Sequence, residues 1–306
     1  MRWPAICLTL LCAATAWGQS EKLSVWPHLI DTKKCSEAHQ LCEMYVHAPA
    51  IADQVSAQKC LANAALCGHS VLMLQGDDNG GGTVSGGYMR DATKKAISHL
   101  DAALKLAPQD LSIHLGRLYV LETAGEYDQM LQALNQSCSI YKGKHALDAW
   151  LGYTPDFQEL GLYRVAVAYM KILNTHYPGN SDVTGNIGAF LMMDGKMDEA
   201  IVYLKKAVAL APNDPINTWD LGRAYDYNGQ TTLADKWYRK GLSLQTDKKQ
   251  LRENECIYAK FVADKLHQPQ RACALEKANC GPKHQSACGP AATFAKPVSA
   301  SPAKTK

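Results

Sequence analysis

An internal repeat constrains this chain more than any other feature of it. Ser181 to Asp214 and Pro215 to Lys248 are adjoining blocks of equal length with like residues at like places. Ile187-Gly188 stands against Leu221-Gly222, Leu191 against Tyr225, and Gly195 against Gly229. Ala200 then stands against Ala234, Leu204 against Tyr238, and Ala207 against Gly241. One period earlier, the block from Leu147 has Trp150, Gly161, Ala166, Met170 and Pro178 in phase. Pro108 closes an earlier unit holding Ala96, Leu100 and Ala103. The unit after it has Leu118, Leu121, Gly125 and Tyr127, and absorbs two extra residues before Leu147. A unit of this length buries its apolar face only by stacking on its neighbours.

Each block reads as two helices. A small residue (Gly188, Gly222) marks where the first helix crosses the second closely. A glycine at the turn (Gly125, Gly195, Gly229) supplies the left-handed conformation that ends the first helix. The second helix carries alanine where the pair touches, and a proline without an N–H breaks it. The Leu147 block departs from the plan. Tyr153-Thr154 replaces the Leu-Gly pair and Pro155 falls inside the first helix, which predicts a short or kinked element there. The unit ending at Pro108 has no first helix in the expected place. Lys249 to Leu266 is in phase for one more first helix, with Cys256 at the small-residue position, and reads as a solvating cap.

A helix-turn-helix unit of about 34 residues with these features resembles the tetratricopeptide repeat family, over roughly Asp91 to Leu266. The resemblance implies an all-α fold, a right-handed α-solenoid that holds a protein or peptide partner in a concave groove lined by the first helices. In register, that groove takes Leu115, Tyr119 and Glu122 from one unit, and Ala189, Met192 and Met193 from another. Trp219, Arg223, Asp226 and Tyr227 follow in the last full unit. Aromatic residues and arginine carry binding hot spots. Trp219 has a second reading, packing against a neighbouring helix. The carboxylate-holding Lys and Asn set of some family members is absent, since Gly185 and Ala189 occupy the matching places in one unit.

Cysteines frame the repeats. Cys35, Cys42, Cys60 and Cys67 are spaced C-x6-C-x17-C-x6-C. Seven residues are two helical turns, so each pair shares one helix face. An antiparallel hairpin turning near Ile51 sets Cys35 opposite Cys67 and Cys42 opposite Cys60, one of three possible connectivities. A metal site is the rival reading, although C-x2-C spacing is absent. Near the C-terminus Cys273, Cys280, His284 and Cys288 allow either a zinc site or one disulfide, Cys273–Cys280 or Cys280–Cys288. Cys138 and Cys256 are expected to be buried, as small cysteines often are.

Arg2 followed by an uncharged run from Ala5 to Ala16, then small residues, has the three-part pattern of a secretory signal peptide. Its removal takes Cys7 and Cys12 and leaves nine cysteines, so at least one thiol stays free or pairs between chains. Export to an oxidising compartment, periplasmic or extracellular, makes disulfides the default. The formal net charge of +3 comes from Arg2 and from Lys296, Lys304 and Lys306 beyond Cys288; the body between is close to neutral. That argues against a nucleic-acid binder. Gly80-Gly81-Gly82 and Gly86-Gly87 lack the Gly-Lys-Ser/Thr ending of a phosphate loop, and Asp77-Asp78-Asn79 lacks the glutamate that closes a calcium loop. No haem-attachment, His-Glu-x-x-His or Gly-x-Ser-x-Gly motif occurs, and no catalytic group, cofactor or resident metal is expected.

The resulting organisation is a signal peptide over 1–18, a cysteine-rich helical hairpin over 19–75 and a glycine-rich linker over 76–90. Repeats with a capping helix occupy 91–267, and a Cys/Pro/Ala/Lys-rich, largely disordered tail 268–306. The expected function is an exported, non-catalytic scaffold for a protein or peptide partner, with no transmembrane segment in the mature chain. The alternative is an exported thiol-redox or metal-binding protein whose repeats recruit a partner.

Overall fold

The computed structural model describes residues 22–67, 86–141, 144–152, 154–280 and 288. The signal-peptide segment, most of the glycine-rich linker, His284 and the tail beyond residue 288 lie outside the described residues. The chain is all-α, a tetratricopeptide-like solenoid preceded by disulfide-bonded helices, and it divides into Met1–Pro178 and Gly179–Lys306.

The first unit opens with a single 3-10 turn, Leu23–Val25. It continues with α1 Trp26–Asp31, α2 Cys35–Glu43, α3 Ile51–Leu66, α4 Gly86–Leu106, α5 Leu111–Thr123 and α6 Tyr127–Ile140. Helices α7 Lys144–Leu151, α8 Thr154–Glu159 and α9 Tyr163–His176 complete it. One face of α3 closes a core of Leu23, Trp26, Ile30, Ala38 and Cys42 with Ala57, Cys60 and Leu61. Ser56 accepts the Trp26 indole N–H at 3.1 Å. The other face of α3 packs Ala62 among Ala96, Leu100 and Ala103 of α4 and Ile113 and Val120 of α5. Helix α3 therefore supplies the first helix that the unit ending at Pro108 lacks in phase.

Because both faces of α3 are covered, polar residues on it are buried and each is held. Lys59 donates to Ser112 Oγ at 2.7 Å and lies 3.5 Å from Asp110 Oδ2. His99 Nδ1 lies 2.8 Å from Gln58 Oε1, and Asn63 donates to the Lys59 carbonyl at 2.7 Å. Asp110 also caps α5, accepting the Ser112 N–H at 2.9 Å. The irregular repeat breaks as its Pro155 predicts, into the short helices α7 and α8. The interruption leaves the Trp150 carbonyl free to accept the Tyr169 hydroxyl at 2.9 Å.

The second unit holds α10 Ser181–Met193, α11 Met197–Leu210, α12 Pro215–Tyr227 and α13 Thr231–Leu244, then α14 Lys248–Asp264 and α15 Pro269–Asn279. Its local chemistry repeats with the sequence. Asn180 caps α10 through Val183 N–H at 2.9 Å, and Asp214, one period on, caps α12 through Ile216 N–H at 2.7 Å. Gly195 and Gly229 take φ of 79° and 73°, where an L side chain is disfavoured. Beside them Lys196 N–H reaches back to the Leu191 carbonyl and Gln230 N–H to that of Tyr225, each at 2.8 Å. Those bonds satisfy carbonyls left open by the end of the helix.

The C-terminal end departs from expectation. Pro269–Asn279 is a helix where a tail was expected, and a Pro in its first turn suits that start. The disulfides are Cys256–Cys280 and Cys273–Cys288. Neither of the two tail pairings read from spacing forms, and Cys256 is a bonded, half-buried residue. The reason is geometric: α15 folds back on α14, which brings Cys280 to Cys256 with Cα atoms 5.6 Å apart. A polar relay ties the same helices to α13. Arg271 donates to the Tyr258 hydroxyl, which donates to Asp235 Oδ1 at 2.5 Å. Burial, and then the Asp235 carboxylate, push the Tyr258 phenol up to about 12.

Candidate partner-binding site

The residues assigned to the groove by register separate into packed and open side chains. Trp219 is packed, 7% exposed, with its ring centroid 4.6 Å from that of Tyr238. Gly241 makes this possible: a Cβ there would lie 3.1 Å from the Trp219 Cα, so α13 approaches the backbone of α12 directly. Of the two readings open for Trp219, packing is the one the structure takes. Met192 and Glu122 are buried too. Tyr119 and Met193 are half-buried, with Tyr119 and Glu122 on α5 in the first unit.

Of the three residues at the C-terminal end of α12, Tyr227 is open and Arg223 and Asp226 are half-buried. Tyr227 is 59% exposed, a large fraction for an aromatic side chain. The Arg223 guanidinium lies 5.9 Å from its ring centroid and bonds Asp220 Oδ1 at 3.2 Å. Arg223 therefore links a half-buried carboxylate to an exposed aromatic ring. Burial pushes the Asp220 carboxyl above its usual range, and Arg223 opposes that shift. Asp226 is half-buried and accepts the Tyr238 hydroxyl at 3.2 Å; burial raises its carboxyl, which that bond and Lys265 oppose. Asp220 was missed from sequence, because a half-buried acid three residues before Arg223 does not stand out by spacing. Ile257, 52% exposed on α14, was missed as well. It stands one full period after Arg223, so extending the register by one more unit finds it.

The cysteines assigned in pairs are placed in pairs. Cys35 bonds Cys67 with Cα atoms 5.5 Å apart, and Cys42 bonds Cys60 at 6.1 Å. Cys138 is the one free cysteine among the described residues; it is buried, and burial pushes its thiol up to about 12. A thiol so high supplies almost no thiolate at neutral pH. Ser137 and His114 stand 2.8 Å apart, but both are buried and the second imidazole nitrogen is held by the Pro108 carbonyl at 2.9 Å. That pair is a packing element. Among the described residues no group of three His, Cys, Asp or Glu side chains is placed to hold a metal ion. Among them, too, no helix is long and apolar enough to cross a membrane.

The repeated caps, left-handed glycines and close crossings of α10–α13 are those of tetratricopeptide-like helical pairs. Residues 185–214 and 219–248 each match the tetratricopeptide repeat. Among solved structures, the C-terminal part of a TPR repeat-containing protein from Cytophaga hutchinsonii is 14% identical. That match covers 87% of this chain and 99% of that one, with a TM-score of 0.45. PilF of Pseudomonas aeruginosa is 17% identical over 73% of this chain and 96% of its own, with a TM-score of 0.41. PilW, a type IV pilus biogenesis factor, is 22% identical over 63% of this chain and 87% of its own, also at 0.41. No curated protein sequence matches the chain.

Proposed function

We propose that the chain is an exported, non-catalytic scaffold that holds a protein or peptide segment on the open end of α12. The observation that carries this reading is Tyr227, a mostly exposed aromatic braced by Arg223. Large aromatics left in solvent beside arginine are the residue types that dominate binding energy. The partner segment offers an apolar side chain to Tyr227 and a carboxylate to the open side of Arg223. Export is supported by four disulfides, which persist in oxidising compartments. Those bonds and the buried, high Cys138 thiol favour the scaffold over a thiol-redox protein.

Trp219→Ala is the wrong probe, because it would open a core cavity costing about 3–5 kcal/mol. Arg223→Ala would leave the half-buried Asp220 without its ion-pair partner. Tyr227→Ala with Arg223→Lys avoids these costs: a change at exposed Tyr227 usually stays within about 0.5 kcal/mol, and the lysine keeps a cation beside Asp220. In pull-downs from an envelope extract, this variant should lose the captured partner while its circular dichroism and melting match the parent. Undiminished capture by the folded variant would exclude the α12 face.

A further inference from the structure

A second surface in the Gly179–Lys306 unit has a composition that its role in packing does not require. Helix α11 turns Ala200, Ile201, Leu204 and Ala207 inward and leaves Val202 and Leu210 51% and 47% exposed. Helix α13 buries Ala234, Tyr238 and Gly241 and leaves Leu233 37% exposed. Lysines lie among these aliphatics, each against an aromatic ring. Lys206 Nζ is 5.3 Å from the Tyr203 centroid, and Lys236 and Lys240 flank Trp237 at 5.6 and 5.2 Å.

The arrangement recurs with the repeat. Tyr203, Lys206 and Leu210 stand one period before Trp237, Lys240 and Leu244. On α13, Leu233, Lys236, Trp237, Lys240 and Leu244 fall at helical spacing along one face. Among the described residues no carboxylate lies within ion-pair distance of Lys206, Lys236 or Lys240. The nearby acid Asp235 is engaged by Arg239, Tyr258 and Arg271, and Asp198 accepts from Asn228 at 3.0 Å. Glu199 is the exposed acid at the start of α11.

We infer that this outer face of α11 and α13 docks on an anionic phospholipid bilayer. Unpaired lysines supply attraction to lipid phosphates, and their stems lie along aromatic rings that suit the headgroup layer. Exposed Val202, Leu210 and Leu233 enter the acyl boundary, as on the apolar side of an interfacial helix. A phosphate polymer such as nucleic acid would use the cations and leave these aliphatics without a role. The inference uses neither Arg223 nor Tyr227, so it stands apart from the peptide-binding proposal.

The test is co-sedimentation of the full chain with vesicles of phosphatidylcholine plus phosphatidylglycerol, and with vesicles of phosphatidylcholine alone. The expected result is binding to the mixed vesicles that weakens with salt. Lys206→Gln, Lys236→Gln and Lys240→Gln together should weaken it about a hundredfold, since each lysine near an anionic surface contributes about fivefold. A Val202→Ser, Leu210→Ser variant keeps every charge and should also bind more weakly. The N-terminal segment is common to all three proteins, so it does not produce the differences. Equal binding to the two vesicle types, or unchanged binding of the lysine variant, overturns the inference. Undiminished binding of the serine variant overturns it in favour of a soluble polyanion.

Discussion

Gly222→Ala tests the repeat geometry where a neighbouring backbone comes closest to a glycine. A Cβ built on Gly222 would lie 2.8 Å from Tyr238 Cδ1 and 2.9 Å from the Tyr238 backbone nitrogen. The ring has room only by leaving Trp219 and Phe261, whose centroids are 4.6 and 5.1 Å away. The backbone nitrogen has no such freedom, so α12 and α13 must separate. Overpacking of this kind costs about 1–3 kcal/mol, and the rigid neighbour argues for the upper part of that range. Replacing a helical glycine by alanine returns about 1 kcal/mol. The net is a loss of about 2 kcal/mol, or roughly 4–8 °C in melting temperature. Gly188→Ala should cost less, because its nearest neighbour is the Leu204 side chain at 2.6 Å, which can turn, although the Ala200 carbonyl at 3.2 Å limits relief. Thermal melts of the oxidised full chain, followed by circular dichroism, measure both. A Gly222→Ala protein as stable as the parent would refute the close crossing.

Further outcomes follow from single features of the structure. Non-reducing peptide mapping should recover Cys256 linked to Cys280 and Cys273 to Cys288, and alkylation should reach Cys138 only after unfolding. Tyr258→Phe should cost about 1–3 kcal/mol in denaturant melts, since it leaves Asp235 and Arg271 without their shared hydroxyl. Burial holds the imidazoles of His99 and His114 below 6.5, with the charge of His39 adding to the effect at His99. The unfolded chain therefore takes up these protons first, so stability is full above 6.5 and falls as pH drops below it. His114→Gln should flatten that decline in denaturation curves taken across pH.

The parts of the fold that were legible in the sequence are those where one residue type answers one local need. The glycines at 195 and 229 end helices in a left-handed conformation, and Gly188 and Gly222 stand at the crossings. The repeat spacing alone identifies them. Helix α3 was harder to place, because residues 68–85 separate it from the α4 it packs on and break the phase. The C-terminal pairings were hidden for a similar reason. Cys256 occupies a small-residue position, so spacing reads it as packing, and only the return of α15 along α14 shows that it meets Cys280. The site divides in the same way. Register located α12 as a candidate face, yet it cannot tell an inward from an outward aromatic. Trp219 turns inward because Gly241 lets the backbones approach, while Tyr227, two turns on, stays in solvent.

The claim that the open end of α12 holds a protein partner is tested most directly by site-specific photo-crosslinking. A benzophenone amino acid replaces Tyr227 in one protein and exposed Ser243 in another, each is expressed in the native host, and adducts are read by mass spectrometry. The account predicts a discrete protein adduct from position 227, absent from position 243 and lost when Arg223→Lys is added. Adducts from neither position, or the same adducts from both, would contradict it.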